Sequence, residues 1–153
     1  MLEVGKKAPS FSMFDENNNK VSLLDFKGKK IVLYFYPKDM TSGCTQEACD
    51  FRDTFRNFKK LKAVVLGVSI DSVASHKKFS NKYDLPFILL SDSDQEVVQK
   101  FGVWKEKSMY GRKFMGVERT TFIIDEEGKI KTIFPKVKVS GHVEEVMKSL
   151  GEK

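Results

Sequence analysis

The chain reads IVLYFYPKDMTSGCTQEAC from Ile31 to Cys49, and the expected fold is organised around this stretch. The apolar run from Ile31 to Tyr36 has the composition of a buried strand. Pro37 cannot donate a hydrogen bond to a strand ladder, so the strand is predicted to end there. A helical pattern follows from about Cys44. The segment between strand and helix is therefore predicted to be a loop that carries the chemistry of the chain.

Cys44 is predicted to lie at the N-terminus of this helix. Thr41, Ser42 and Gly43 provide a helix cap and a flexible approach, and Glu47 adds an acidic residue to the first turn. Unpaired backbone N–H groups and the helix dipole favour a negative charge at such a position. Because that setting favours a thiolate, we expect a reactive cysteine. The alternative is a small buried hydrophobic residue, which is common for free cysteines.

Cys49 is the second cysteine of the chain and follows five positions after Cys44. On a helix it shares a polar face with Arg52, Asp53 and Arg56. The apolar face of the same helix comprises Phe51, Phe55 and Phe58. A structural cysteine has little reason to lie on a polar face. Disulfide exchange of the Cys-x-x-Cys kind is not expected, because four residues separate the two cysteines.

The spacing Pro-x-x-x-Thr-x-x-Cys, formed by Pro37, Thr41 and Cys44, resembles the peroxidatic motif of the peroxiredoxins. The longer run TSGCTQEACDFRD, residues 41–53, is similar to the bacterioferritin-comigratory, or peroxiredoxin Q, subfamily. A second match comprises MYG at residues 109–111, MGV at 115–117 and RTTFIID at 119–125. The resemblance therefore covers nearly the whole chain. Ser42 stands where the subfamily usually has proline, which leaves the motif intact but makes the loop less rigid.

The resemblance implies a role for each cysteine and for two residues of the loop. Cys44 would be the peroxidatic thiol, and Cys49 would resolve its oxidised form. Thr41 would form a hydrogen bond with the peroxide, and Pro37 would shield the thiolate from water. Simpler interpretations stay open for the loop residues, since Thr41 also suits a helix cap and Pro37 also ends a strand.

Arg119 precedes a predicted buried strand and is the remote residue that the resemblance brings to the site. The resemblance implies that its guanidinium faces the Cys44 thiolate, stabilises it and polarises the oxygen of the substrate. It also implies that Glu47 orients Arg119. The alternatives are a surface ion pair for Arg119 and simple support of the helix N-terminus by Glu47.

The activity that the resemblance implies is thiol-dependent reduction of hydrogen peroxide and organic hydroperoxides. The Cys44 thiolate would attack a peroxide oxygen and become a sulfenic acid. Cys49 would condense with the sulfenic acid to a disulfide, and a thioredoxin-type dithiol protein would restore the reduced form. No metal or organic cofactor is needed. A monomer is expected, because monomers are frequent in the subfamily.

Two other classes of function remain open. A redox sensor or copper-delivery protein on the same fold would also use two nearby cysteines, but it would need a histidine that converges with them. His76 and His142 lack a partner at metal-ligand spacing, so surface or packing positions are expected for both. The non-enzyme alternative is a basic binding module with incidental cysteines, which peroxide consumption would exclude.

The charge and composition of the chain argue against several partners. Its 153 residues include 27 basic and 21 acidic ones, for a net charge of +6. The lysines are scattered in short pairs beside acidic residues, which indicates a solvated surface rather than a nucleic-acid-binding face. No stretch approaches the roughly 20 apolar residues that span a bilayer, and no signal-type segment is expected. Two cysteines without an export signal favour the cytoplasm.

The remaining pattern predicts an α/β protein in one domain, residues 1–153. Predicted strands span residues 31–36, 63–70, 87–90, 120–124 and 129–134, and predicted helices span 44–61, 72–83, 94–101 and 142–150. An N-terminal β-hairpin is expected between residues 11 and 24, where Asx residues separate two short apolar runs. These elements predict a central mixed β-sheet flanked by helices on both faces. This architecture matches the thioredoxin-like fold that the resemblance implies.

Overall fold

The computed structural model describes residues 2–151, so residue 1 and residues 152–153 of the expected domain lie outside the described residues. The strands are β1 (Ser12–Asp15), β2 (Lys20–Ser22), β3 (Lys30–Phe35), β4 (Ala63–Ser69), β5 (Ile88–Ser91), β6 (Trp104–Met109), β7 (Arg112–Val117), β8 (Thr120–Ile124) and β9 (Ile130–Phe134). The helices are α1 (Ser42–Asp53), α2 (Phe55–Lys60), α3 (Val73–Tyr83), α4 (Glu96–Lys100) and α5 (His142–Gly151). A short 3-10 helix spans Leu23–Phe26.

Within the described residues, seven strands form one sheet in the order β2-β1-β5-β4-β3-β8-β9. β3 pairs in parallel with β4, and β4 pairs in parallel with β5. The other pairings in this sheet are antiparallel, including the N-terminal hairpin of β1 and β2. The central mixed sheet, the flanking helices and the hairpin confirm the predicted fold class.

Strand β3 lies inside the sheet, between β4 and β8, and is buried on both faces. Ile31, Leu33 and Phe35 belong to one hydrophobic core, and the alternate residues face a second core on the other side. Side chains alternate between the faces of a strand, so β3 contributes to both cores. The strand ends beside Pro37, as predicted, and the Tyr36 N–H continues the pairing to Val68. The loop that follows therefore begins at the end of a strand that is buried on both faces.

The predicted helix over residues 44–61 is wrong in its bounds, because the segment forms two helices, α1 and α2, separated at Thr54. The Thr54 hydroxyl donates to the Asp50 carbonyl at 2.8 Å, and the Thr54 backbone leaves helical geometry at φ −109°, ψ 10°. A threonine hydroxyl that bonds the carbonyl one turn earlier bends a helix. The periodicity of the phenylalanines continues across this break, which hid it from sequence reasoning.

Helix α4 also begins later than predicted, at Glu96 rather than Asp94. Gln95 adopts a left-handed conformation with φ 57°, which excludes it from the helix. The Asp92 carboxylate accepts hydrogen bonds from the N–H groups of Val97 and Val98. The other predicted helices and strands agree with the structure to within one residue at each end. Among residues 2–151, no helix is both long enough and apolar enough to cross a membrane.

A two-stranded hairpin of β6 and β7 was not predicted. Its register pairs Trp104 with Val117 and Met109 with Arg112, around a turn at residues 110 and 111. Most side chains of the hairpin are exposed, and both polar and apolar residues are among them. This hairpin stands outside the main sheet, so its sequence shows no buried apolar run. Its second strand leads directly to Arg119.

Candidate active site

Cys44 is the third residue of α1, because the helix begins at Ser42 rather than at Cys44 as predicted. Its side chain is buried, with 2% exposure. An N–H at the third helical position has no carbonyl one turn earlier to bond, so the Cys44 N–H remains a donor at the helix N-terminus. The earlier start also places Glu47 beyond the first turn of α1, which contains no acidic residue. The prediction that Glu47 lies in the first turn was therefore wrong.

Arg119 lies between β7 and β8 and contacts Cys44 across 75 positions of sequence. Its Nη2 atom is 3.2 Å from the Cys44 Sγ atom. Its Nη1 atom is 2.6 Å from Oε1 of Glu47, which follows Cys44 by one helical turn. The fork of the guanidinium therefore bridges the thiol and the carboxylate, and this fixed geometry aims one donor at sulfur.

Gly43 makes room for this approach of Arg119 to α1. A Cβ atom at position 43 would lie 3.3 Å from Nη2 of Arg119, closer than an ordinary van der Waals contact. A Cβ atom there would require Nη2 to shift by a few tenths of an ångström from its place beside the Cys44 sulfur. The close approach of Arg119 therefore favours glycine at the position before the cysteine.

Glu47 is fully buried, and its Oε2 atom has no hydrogen-bond partner among the described residues. Burial raises the pKa of Glu47 to about 7, although the neighbouring Arg119 charge opposes this rise. The pKa of Arg119 is lowered by burial, but the charges of Glu47 and Cys44 more than compensate and raise it. Arg119 therefore stays cationic while Glu47 exchanges its proton near neutral pH.

The buried carboxyl of Glu47 predicts a specific pH dependence of stability. Folded Glu47 holds its proton at pH values where the unfolded side chain has lost it, so the folded state is stabilised as the pH falls from about 7 to about 4.5. Relative to Glu47→Gln, we expect the wild-type free energy of unfolding to increase by up to about 3 kcal/mol over that range. Chemical denaturation of both proteins at several pH values measures the difference. Identical pH slopes would contradict the expectation.

Thr41 occupies the N-cap of α1, but its hydroxyl makes no capping hydrogen bond. The hydroxyl donates instead to the Lys38 carbonyl at 2.8 Å, which closes the loop on itself. The oxygen lone pairs of Thr41 stay available to accept a further hydrogen bond. Pro37 is half-buried at the start of the same loop. The loop thus presents the two residues that the motif requires before the cysteine.

Cys49 is half-buried and lies in the same helix as Cys44. Five residues of α-helix separate the two Cα atoms by about 8.6 Å. A disulfide needs Cα atoms within about 7 Å and converging side chains. The two cysteines therefore cannot bond while α1 is intact. Beside Cys49, the Arg52 guanidinium donates to the Tyr83 carbonyl at the end of α3.

His76 is completely buried. Of the two positions expected for it, the packing position is therefore correct and the surface position is wrong. Its Nδ1 atom is 2.7 Å from Oδ2 of Asp39, and its Nε2 atom is 2.9 Å from the Leu90 carbonyl. Ligand atoms of Asp39, Asp71 and His76 lie within 4.8 Å of one another, the one group of described residues with metal-ligand spacing. Both ring nitrogens of His76 already take part in hydrogen bonds, so hydrogen bonding explains the short distances in this group without a metal ion. Sequence reasoning missed this cluster because Asp39 and His76 are 37 positions apart.

His142 is also buried, and its Nε2 atom is 2.8 Å from the Thr121 hydroxyl. Its Nδ1 atom is 3.5 Å from Oε1 of Glu145. Burial lowers the pKa of His142, against the influence of Glu145. Neither histidine has a cysteine among its hydrogen-bond partners in the described part of the chain. A copper-delivery site would need a histidine beside the cysteines.

The buried Cys44 thiol thus lies at a helix N-terminus and accepts a hydrogen bond from the half-buried Arg119. Residues 4–133 match the AhpC/TSA family. The chain belongs to this family. Peroxiredoxin Bcp of Bacillus subtilis is 50% identical over 149 residues, which cover 97% of this chain and 95% of that protein. Peroxiredoxin Bcp of Escherichia coli strain K12 is 44% identical over 151 residues, covering 99% and 97%.

Solved structures of peroxiredoxins have the same fold. The bacterioferritin comigratory protein of Xanthomonas campestris, described for its alkyl peroxide reduction activity, has a TM-score of 0.91 and 39% identity, with 97% of both chains covered. A cysteine-to-serine variant of PrxQ from Xylella fastidiosa has a TM-score of 0.93 and 38% identity, covering 98% of this chain and 96% of that one. These findings confirm the resemblance to the peroxiredoxin Q subfamily and the thioredoxin-like fold. The chain is a thiol-dependent peroxidase that uses cysteine-based catalysis.

Proposed function

We propose that Cys44 is the peroxidatic thiol and that Arg119, Glu47, Thr41 and Pro37 serve its reaction with a hydroperoxide. The observation that carries the proposal is the 3.2 Å contact between Nη2 of Arg119 and Sγ of the buried Cys44. A guanidinium at that distance stabilises a thiolate. It also lies where negative charge develops when the O–O bond of the substrate breaks.

The first step transfers one oxygen to sulfur. The Cys44 thiolate attacks the terminal oxygen of ROOH, the O–O bond breaks, and RO⁻ leaves and takes a proton to become water or an alcohol. The product on the enzyme is a sulfenic acid. Arg119 and the Cys44 N–H donate hydrogen bonds to the reacting oxygens, while Thr41 accepts one from the peroxide. Glu47 holds Arg119 in place, and Pro37 limits the access of water.

The second step uses Cys49 as the resolving thiol. Its sulfur attacks the sulfenic sulfur of Cys44, a disulfide forms, and water leaves. Because both cysteines lie in α1, this step requires at least the turns from Cys44 to Cys49 to unwind. The two cysteines replaced in variants of Xanthomonas campestris Peroxiredoxin Q are far apart in that chain, whereas Cys44 and Cys49 are five positions apart in this one.

The third step returns the enzyme to its dithiol form. A thiolate of a thioredoxin-type protein attacks the Cys44–Cys49 disulfide and forms a mixed disulfide. The second thiol of that protein then resolves the mixed disulfide, which leaves the thioredoxin-type protein oxidised and this chain reduced. Unwinding of α1 exposes that disulfide to the reductant. The cytoplasm, where dithiol proteins are kept reduced, is the compartment in which this cycle would run. The reacting thiols of the first two steps belong to one chain, so a monomer suffices for them.

Replacement of the resolving cysteine separates the first step from the second. We expect Cys49→Ser to react once with peroxide at close to the wild-type rate, but to lose turnover with thioredoxin by at least about tenfold. Its sulfenic acid has no thiol nearby and should advance to sulfinic acid in excess peroxide. Intact-protein mass spectrometry should show two added oxygen atoms on the variant and a disulfide in the wild type. Normal cycling of the variant would assign resolution to another thiol.

Amide hydrogen exchange gives an independent check on the same step. In the oxidised wild type, we expect protection to be lost across residues 44–55, while the Cys49→Ser variant keeps it after one equivalent of peroxide. Strand β3 serves as the internal reference, because it is buried on both faces in the same molecule. Equal protection of α1 in reduced and oxidised wild-type protein would exclude a Cys44–Cys49 bond.

A further inference from the structure

Asp39 connects the active-site loop to α3 through a buried cluster of hydrogen bonds. Its side chain is 1% exposed and accepts the Tyr36 hydroxyl at 2.6 Å on Oδ1. Its Oδ2 atom accepts the Ser75 hydroxyl at 2.8 Å and faces Nδ1 of His76 at 2.7 Å. Its backbone N–H donates to Oδ2 of Asp71 at 2.8 Å. Asp39 is therefore the point at which the loop before Cys44 is attached to the protein interior.

The partners of His76 determine its protons. Nε2 faces the Leu90 carbonyl, which can only accept, so Nε2 must carry a hydrogen. Nδ1 faces an Asp39 oxygen, and the Asp39 carboxylate accepts the hydroxyl hydrogens of Tyr36 and Ser75. A proton on Nδ1 then completes the contact. With both nitrogens protonated, His76 is an imidazolium in a buried ion pair with Asp39.

The charged groups around His76 support this state. Asp39 faces it from the loop, Asp71 from the end of β4, and Glu16 from the turn after β1, while the Tyr36 hydroxyl is bonded to Asp39. Burial by itself lowers the pKa of His76, but the hydrogen bond and charge of Asp39, together with Asp71, raise it above the ordinary value. The positive charge of His76 is therefore kept to a higher pH than that of an ordinary histidine and is lost as the pH rises through this raised pKa.

We propose that His76 is a positioning residue of the peroxidase, which as an imidazolium holds Asp39, and through Asp39 the loop before Cys44, in the conformation that reacts with peroxide. Met40, next to Asp39, has φ 67°, a left-handed conformation that a residue other than glycine keeps only when its surroundings impose it. Loss of the imidazolium proton would leave a lone pair facing either Asp39 or the Leu90 carbonyl. The inference rests on the proposed role of Cys44 as the peroxidatic thiol.

Nitrogen NMR of the reduced wild-type protein tests the protonation directly. The chain has only two histidines, so His142, whose pKa is lowered, is an internal comparison. We expect both ring nitrogens of His76 to be protonated at neutral pH, and His142 to be neutral. A His76 ring with a hydrogen on Nε2 alone at that pH would overturn the proposal. This measurement does not involve peroxide, so its outcome is separate from the success or failure of the proposed function.

The rate of Cys44 oxidation tests the positioning role. In the wild type, we expect the single-turnover rate with hydrogen peroxide to fall at alkaline pH as His76 loses its proton. His76→Gln can replace one hydrogen bond but not the charge. We expect its rate to be lower on the order of tenfold at neutral pH, without the alkaline fall. Quenched-flow mass spectrometry of the sulfenic acid gives these rates for the folded fraction of each variant.

A matched substitution of the other buried histidine separates positioning from general damage. His142→Gln should retain the wild-type alkaline fall and a neutral rate within about twofold, since His142 contacts Thr121 and not the loop. Asp39→Asn should reproduce the profile of His76→Gln, and the double variant should add little further loss. An alkaline fall that persists in His76→Gln would overturn the proposal. Equal effects of His76→Gln and His142→Gln would do the same.

Discussion

Cys44→Ser is expected to lose peroxidase activity by at least about a thousandfold, because a serine hydroxyl is not ionised at neutral pH and is a far weaker nucleophile than a thiolate. The substitution changes one buried atom beside Arg119, so the fold should be retained. Consumption of hydrogen peroxide in the presence of thioredoxin and its reductase measures the loss. Circular dichroism of the variant confirms that the helices are intact.

Cys49→Ser is the matched control for this experiment. It also replaces one thiol of α1, but it should keep the first reaction with peroxide, which Cys44→Ser should not show at all. A single added oxygen atom, trapped with a sulfenic acid reagent, would appear in the Cys49 variant alone. Appreciable turnover by Cys44→Ser would disprove the assignment of the peroxidatic thiol.

Arg119→Ala should slow the reaction of Cys44 with peroxide by about a hundredfold to a thousandfold, as expected for removal of a preorganised donor from the developing charge. Two effects combine, since the thiolate loses its neighbouring cation and the breaking O–O bond loses a hydrogen-bond donor. Single-turnover oxidation of Cys44, measured with a range of peroxide concentrations, gives the rate constant. Arg119→Lys keeps the charge but cannot bridge the sulfur and Glu47 together, so an intermediate rate is expected.

Removal of Arg119 also leaves the buried Glu47 without its partner, which could lower activity through stability alone. Without Arg119, burial raises the pKa of Glu47 further, so its carboxyl is left neutral but without a hydrogen-bond partner. A buried polar group left without a partner costs about 1–3 kcal/mol. The double variant Arg119→Ala, Glu47→Leu replaces that polar group with an apolar one and should recover stability without recovering the rate. If the double variant instead reacted as fast as the wild type, Arg119 would have only a structural role.

The central part of the fold was predictable because its strands are short, continuous apolar runs. β3, β4 and β8 contain buried residues on both faces, so their composition alone identified them within one residue. The break at Thr54 was not predictable, because it depends on one hydroxyl that bonds a carbonyl within an otherwise periodic helix. The β6–β7 hairpin was missed for the opposite reason, as exposed strands carry no pattern of burial.

The local half of the candidate site could be predicted, and the remote half could not. Cys44 and Thr41 lie within one loop and helix start, so the backbone determines their relation. Arg119 and Glu47 meet across 72 positions, and only the resemblance to a family indicated that contact. The Asp39–His76 pair had no such indication, because a lone histidine on a helix looks the same whether it faces solvent or a buried carboxylate.

The location of both cysteines within α1 limits how far the thermal stability of this protein can be raised without loss of activity. If α1 opens at every turnover, its stability is part of the catalytic rate, and each substitution that strengthens the helix also slows disulfide formation. Helix α5, which carries neither cysteine, has no such conflict. Selection for heat resistance would therefore accumulate helix-favouring residues in α5 and avoid them between residues 44 and 53. In a library screened for survival at high temperature and then for peroxide resistance, the variants that pass both screens should carry helix-favouring substitutions in α5 but not between residues 44 and 53.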